Sequence, residues 1–162
     1  MKTSINLKGI SFRKPILMFG AIFCMLALFS ACKKKSVRPT EKKEIEYNIT
    51  SGVNATNTKT GSTATGTLTA TYKKSTKKLS YRLTFSDINP ESINLHLGTA
   101  TELGTLVANI KKDGAKYNSP SSGTVDLNEA GEKALLEDKV YLNIVSTKFP
   151  AGEIRGQLLL KK

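Results

Sequence analysis

The sequence contains very little of the residue types on which most catalytic and metal sites depend. Among its 162 residues there are two cysteines, one histidine and no tryptophan. Both cysteines, Cys24 and Cys32, lie near the start, so the remainder has no thiol for a disulfide, a zinc–thiolate site or a nucleophile. With His96 as the single histidine and no Gly-x-Ser-x-Gly motif, the sequence does not indicate a Ser-His-Asp triad, and no phosphate-loop or calcium-loop motif occurs. We therefore expect no enzyme activity, cofactor or bound metal.

The first 31 residues have the pattern of a lipoprotein signal peptide. A basic start is followed by the uncharged run PILMFGAIFCMLALFSA, which is short for a membrane span and typical of a signal-peptide core. The run ends in LFSAC, which resembles the lipobox of bacterial lipoproteins, and this resemblance implies that Cys32 carries fatty acyl chains such as palmitate. The alternatives are an ordinary secretory cleavage site and an uncleaved anchor.

The positive charge of the chain is concentrated next to Cys32. The formal net charge is +12, but residues 33–43 alone hold six basic residues against one acidic residue. From Glu44 onward, fifteen basic and twelve acidic residues leave only +3. The basic excess thus belongs to a flexible tether, residues 32–43, which favours contact with lipid headgroups or solvent and disfavours nucleic acid as a partner. Cys32 is not followed by the acidic run that resembles a surface-export signal in some bacterial groups, which favours the periplasmic side. We expect an outer-membrane lipoprotein facing the periplasm.

Residues 44–162 are long enough for a single domain, and apolar residues alternate with polar ones along most of it. In KLSYRLTFSD, for example, Leu79, Tyr81, Leu83 and Phe85 fall on one face. Further strands are predicted at 45–50, 63–72, 93–97, 105–110, 123–127, 140–145 and 153–160, with Ile45 on an inward face. Short strands separated by turn signals predict a mainly β fold, an antiparallel β-sandwich of Greek-key type.

Two connecting segments have distinct predictions. DLNEAGEKALLEDK predicts one short helix with Asn128 as its N-cap, ending near Asp138. SGVNATNTKTGSTATG, residues 51–66, is rich in Thr, Ser, Asn and Gly and predicts a long mobile loop.

The order of motifs from residue 45 to 160 resembles the CHRD domain, a module named from chordin and found also in bacterial secreted proteins. The resemblance rests on TGT at 65–67, on the strand INLHL, on ALLEDKVYLN and above all on FPAGEIRGQLL near the end. It implies a β domain over residues 44–162.

The chain departs from this family at possible metal ligands. Family members commonly carry His-x-His on the central strand and an Asn-x-His-Thr after the helix, where this chain has Asn94 with His96, and Asn143 with Val145. A single histidine does not hold zinc or copper without further ligands. His96 is thus interpreted first as a structural residue bonded to a nearby loop, and second as a ligand contact.

The terminal motif raises a second question, because Glu153 and Arg155 are opposite charges at period two. After a turn at Pro150–Gly152, both are expected on one side of the last strand, where a guanidinium can bond a carboxylate or the carbonyls of a crossing loop. Gly152 and Gly156 leave room for a neighbouring backbone. The two readings are a buried ion-pair clasp that closes the sandwich, and exposed residues that with His96 contact an anionic or glycan ligand.

Together these patterns predict a non-catalytic, membrane-anchored binding or scaffolding module of the bacterial cell envelope. Its expected partners are the membrane, through the lipid, and an envelope protein or glycan. The alternative is a metal-dependent or redox protein distantly like copper-zinc superoxide dismutase.

Overall fold

The computed structural model describes residues 43–161. The predicted signal peptide, Cys32 and all of the tether except Lys43 lie outside this range. The elements, in chain order, are β1 (Glu46–Val53), β2 (Thr65–Lys73), β3 (Lys78–Ser86), β4 (Ser92–Leu97), β5 (Leu106–Ile110), β6 (Ser121–Asp126), α1 (Glu129–Leu136), β7 (Val140–Ser146) and β8 (Phe149–Leu158). None of the helices described is long and apolar enough to cross a membrane.

The strands form two antiparallel four-stranded sheets. Sheet A has the order β1-β2-β3-β6, and sheet B has the order β5-β4-β7-β8. Their inner faces supply alternate apolar residues that are almost fully buried, such as Leu68 and Leu83 from sheet A and Leu95, Leu142 and Ile154 from sheet B. The predicted antiparallel β-sandwich with one short helix is confirmed, and its core comes from the period-two pattern.

The two sheets join along one side, where β1 runs beside β8. The backbone groups of Asn54 and Arg155 exchange two hydrogen bonds of 3.1 and 2.9 Å, and the Lys161 N–H donates to the Asn48 carbonyl at 2.8 Å. A Cβ added at Gly156 would lie 2.5 Å from the carbonyl oxygen of Gly52, so the expected close backbone approach is present at this seam.

The helix matches its prediction closely. Asn128 is the N-cap, and its side-chain oxygen accepts from the Gly131 N–H at 2.8 Å. Leu135 is buried on the side of the helix that faces the core. The helix stops before Asp138, which has a positive φ of 57° and so leaves the right-handed helical region.

Three predictions about where strands begin or end were wrong. The turn before the last strand is at Thr147 and Lys148, and residues 150–152 already belong to β8, because Pro150 lies on an edge strand next to an irregularity in the register with β7. Residues 51–53 continue β1 and are not loop. Ile45 precedes β1 and is 51% exposed, so it does not contribute to the core.

Candidate functional site

The outer face of sheet B is polar and yet mostly buried. The side chains that alternate with the core residues on β4, β7 and β8 form two rows across the sheet. In one row Asn94 pairs with Asn143, which pairs with Arg155, and in the other His96 pairs with Tyr141, which pairs with Gln157. We call this surface the covered face; it comprises Asn94, His96, Tyr141, Asn143, Glu153, Arg155 and Gln157. Buried polar groups are costly unless they are hydrogen-bonded, so their partners define what this face does.

Much of the cover is the loop of residues 98–105, which connects β4 and β5. At Gly104 the loop passes very close to the end of β4, since a Cβ there would lie 1.6 Å from the carbonyl oxygen of Leu97. The Gly104 N–H donates to the Tyr141 hydroxyl at 2.9 Å. Gln157 holds the other end of the loop, accepting from the Ala100 N–H at 2.8 Å and donating to the Gly98 carbonyl at 3.1 Å.

Arg155 is 5% exposed and makes four hydrogen bonds. Its Nη1 group donates to the carbonyls of Ala100 and Glu102 at 3.2 and 3.0 Å. Its Nη2 group donates to the Ala151 carbonyl at 2.7 Å, and its Nε donates to the Asn143 side-chain oxygen at 3.0 Å. The guanidinium thus joins the loop 98–105 to the start of β8. Its planar fork of N–H groups donates to backbone carbonyls of both segments.

Asn143 is part of the same arrangement. Its side-chain nitrogen donates to the Ala151 carbonyl at 3.3 Å while its oxygen accepts from Arg155. Gly152 makes room for it, with a φ of +126° and space so limited that a Cβ would lie 2.0 Å from the Asn143 oxygen. Sequence reasoning did not assign roles to Tyr141, Asn143 or Gln157. The available signal was period-two spacing, of Tyr141 with Asn143 on β7 and of Gln157 with Arg155 on β8.

Glu153 has a separate set of partners. Its carboxylate accepts from the Ser62 hydroxyl at 2.5 Å and from the Ser146 hydroxyl. Its carbonyl accepts from the hydroxyls of Thr58 and Thr60 at 2.7 and 2.9 Å. Since these contacts hold residues 54–64 against β8, the loop predicted to be mobile is fixed at several points.

The ion pair predicted between Glu153 and Arg155 is not formed; within residues 43–161 neither side chain has a salt bridge. The reason is that neutral groups already satisfy both charges: two hydroxyls bond the carboxylate, and three carbonyls and an amide oxygen bond the guanidinium. Each residue fixes a different loop.

His96 is half-buried and stacks on Tyr141, with ring centroids 5.4 Å apart. Its Nδ1 lies 2.8 Å from the Gly104 carbonyl, which can only accept, so Nδ1 carries the proton. Its Nε2 is buried without a hydrogen-bond partner in the described part of the chain. The Arg155 guanidinium also lies against Tyr141, 5.4 Å from the ring centroid. The structure therefore brings His96 and Arg155 onto one face, where both side chains lie against the Tyr141 ring.

No group of three His, Cys, Asp or Glu side chains suited to a metal ion occurs in residues 43–161. The Nδ1 of His96 is bonded to Gly104, and its Nε2, the other ring nitrogen, is buried.

An open cleft of about 370 Å³ lies at one end of the sandwich, where three segments meet. The segment 54–64 contributes Thr58, the loop 98–105 contributes Thr101 and Leu103, and the start of β8 with the preceding turn contributes Phe149 and Lys148. Arg155 also lines this space, which we call the loop-end cleft.

Comparison with known proteins identifies one family. The family model described as the CHRD domain matches residues 48–158, which includes the helix and all eight strands except the first two residues of β1. No curated protein and no solved structure matches the chain.

Proposed function

The chain belongs to the CHRD domain family, and from this premise we propose that it is a non-catalytic binding or scaffolding module, anchored by lipid in the bacterial cell envelope. The observation that supports the module most directly is the use of the covered face. Arg155, Glu153 and Gln157 direct their hydrogen bonds to the backbones and hydroxyls of two loops. Loops held in one conformation lose little entropy on binding, and binding residues are commonly displayed on loops of a rigid scaffold.

The anchoring part of the proposal is supported by the sequence before the domain. A basic start and an uncharged apolar run precede LFSAC, whose last residue is Cys32, in the order required for lipid modification. Several acyl chains together hold a protein at a bilayer far more firmly than one chain does. The basic tether would then lie beside anionic headgroups. We assign the protein to the outer membrane, facing the periplasm.

The anchor is tested by replacing Cys32 with Ala in the full chain and following incorporation of labelled fatty acid. We expect the label to disappear and a longer, unprocessed precursor to accumulate, because the domain offers no other thiol. Cys24→Ala is the matched control, since it removes the other cysteine from the apolar run and should leave labelling intact. Labelling that persists in Cys32→Ala would exclude the lipoprotein assignment, and fractionation of the two membranes tests its location.

The alternative metal-dependent activity is tested separately by metal analysis of the purified full chain. We expect no stoichiometric zinc or copper. One equivalent of either metal that is lost on His96→Ala, with the fold retained, would favour the metal-dependent function over a binding module.

A further inference from the structure

The loop-end cleft carries a charge imbalance that points to a ligand class. Lys148 and Arg155 line it, and within residues 43–161 no carboxylate side chain is among the lining residues. Lys148 is exposed and lies over the Phe149 ring at 5.1 Å, while Arg155 is buried and held by four bonds. Two cations without a lining anion favour an anionic group in the space between the loops.

The threonine hydroxyls that line the cleft indicate which hydrogen-bonding groups a ligand would present to them. Thr58 and Thr60 both donate their single hydroxyl hydrogen to carbonyls, with the Glu153 carbonyl within 2.9 Å of each. Towards a ligand these oxygens can therefore act only as acceptors. This side of the cleft suits a molecule that presents N–H groups.

Part of the lining is apolar. Leu103 is 70% exposed and Phe149 is half-buried, and both border the cleft. An exposed leucine beside an aromatic ring provides a surface for a small apolar side chain. At about 370 Å³, the cleft is at the lower end of the sizes of small-ligand sites, so it fits a short chain end rather than a folded surface.

We propose that the loop-end cleft binds the carboxyl terminus of a peptide with a small apolar last residue. Lys148 and the remaining Nη2 hydrogen of Arg155 bind the carboxylate, Thr58 and Thr60 accept from peptide N–H groups, and Leu103 with Phe149 contacts the last side chain. This inference rests on the proposed function as a binding module and names its ligand class.

The test titrates the purified full chain in non-ionic detergent with N-acetyl-alanyl-alanine and with its C-terminal amide, by calorimetry. These probes differ only in the terminal charge. We expect the acid to bind and the amide to bind about tenfold more weakly or not at all, as for the loss of a charge-assisted hydrogen bond. Equal binding of acid and amide, or no saturable binding of the acid, would overturn the proposal. Tighter binding of glucuronate than of the peptide acid would also overturn it, in favour of a glycan.

Matched variants locate the site. Lys148→Gln should weaken binding about fivefold, and Leu103→Asp should abolish it by placing a carboxylate in the cleft. Lys112→Gln is the control for charge, because Lys112 also lies over an aromatic ring, 5.5 Å from the centroid of Tyr117, outside the cleft. Leu106→Asp is the control for the apolar change, since Leu106 is 50% exposed and does not line the cleft. Equal losses in the controls would show non-specific attraction and refute the site.

The outcome is separable from that of the anchoring experiment. A chain that fails to incorporate fatty acid can still bind the peptide acid, and a labelled chain can fail to bind it. The first result would remove the anchor alone, and the second would remove the ligand assignment alone.

Discussion

The two sheets of this sandwich have polar outer faces that differ in what covers them. On sheet A the outer face consists mainly of hydroxyls and charged groups open to solvent, such as Thr69, Ser80, Arg82 and Thr124. On sheet B the equivalent positions are covered by loops, and Asn143, Glu153 and Arg155 are each less than 9% exposed. The same alternation produces both faces, so their difference comes from the loops and not from the strands.

This difference changes the energetic role of each polar group. An exposed hydroxyl can bond water in both the folded and the unfolded chain, so its removal changes the free energy of unfolding little. A buried group has no water to replace a lost partner, so its removal leaves donors or acceptors unsatisfied. Matched substitutions on the two faces should therefore give effects of different size, even where the residue type is the same.

The largest contrast is expected between the two arginines. Arg155→Ala removes four hydrogen bonds and leaves the carbonyls of Ala100 and Glu102 without their side-chain donor, while the Ala151 carbonyl keeps only its bond from Asn143. We expect a loss of about 3 kcal/mol in the free energy of unfolding, against less than about 0.5 kcal/mol for Arg82→Ala. Arg155→Lys should fall between them, because a lysine keeps the charge without the fork. Urea unfolding measures all three, and similar midpoints for Arg155→Ala and the parent would refute the structural role of Arg155.

The next contrast concerns the glycines that face each other at the seam between the sheets. A Cβ at Gly156 would lie 2.5 Å from both the Gly52 carbonyl oxygen and the Ser51 hydroxyl, whereas a Cβ at Gly52 would meet nothing within 4 Å. Gly156→Ala should therefore cost about 2 kcal/mol through overpacking. Gly52→Ala should be neutral or raise stability by about 0.5 kcal/mol. Thermal melting of the two variants gives the comparison, and equal melting temperatures would contradict it.

A smaller contrast is expected between two serines. Ser146 is buried and donates to the Glu153 carboxylate, while Ser80 is exposed and shares a 3.3 Å hydrogen bond with the Thr124 hydroxyl. Ser146→Ala should lower the free energy of unfolding by about 1.5 kcal/mol, and Ser80→Ala should change it by less than about 0.5 kcal/mol. The prediction fails if chemical denaturation ranks the two variants in the opposite order.

The smallest effects are expected for two buried tyrosines. Tyr141→Phe removes the acceptor of the Gly104 N–H and should cost about 1 kcal/mol. Tyr72 is in the core between the sheets, and its hydroxyl makes no hydrogen bond to the described residues, so Tyr72→Phe should be close to neutral near pH 7.

Tyr72 should also influence stability at high pH. Its burial, and secondarily the nearby Glu132 carboxylate, raise the pKa of the Tyr72 phenol above its ordinary value. The unfolded chain therefore releases this proton at lower pH than the folded chain, so the contribution is complete below about pH 10 and is lost as the pH rises further. Stability measured from pH 9 to 11 should fall less steeply in Tyr72→Phe than in the parent. Parallel curves would contradict the raised pKa.

The sequence was sufficient for the strands, the helix and the core, because each of these depends on residues close together in the chain. Leu79 and Leu83 follow the alternation of a strand, and Asn128 has the side chain that an N-cap requires. The start of β8 was misplaced, since Pro150 and Gly152 are turn residues by type and only the pairing of Phe149 with Ser146 shows that the strand has begun.

The candidate site was predicted only in part. The motif identified Glu153 and Arg155, but their partners are far away in the sequence: Ser62 for the carboxylate, and Ala100 and Glu102 for the guanidinium. Local charge pattern suggested that the two residues bond each other. The separate loops that satisfy them could not be deduced, because no short-range rule places a loop over a particular face of a sheet.

The position of β1 has a mechanical consequence. The chain enters β1 from Lys43, and the segment after β1 supplies Thr58 to the loop-end cleft. The eight residues of β1 span about 26 Å between these two points of the chain. Tension between a lipid anchor and a peptide held in the cleft would act along β1, at right angles to its hydrogen bonds with β2. All eight paired positions from Glu46 to Val53 would share that load together instead of parting one by one. If the proposed anchor and the proposed ligand are both present, the domain would therefore resist unfolding under such tension.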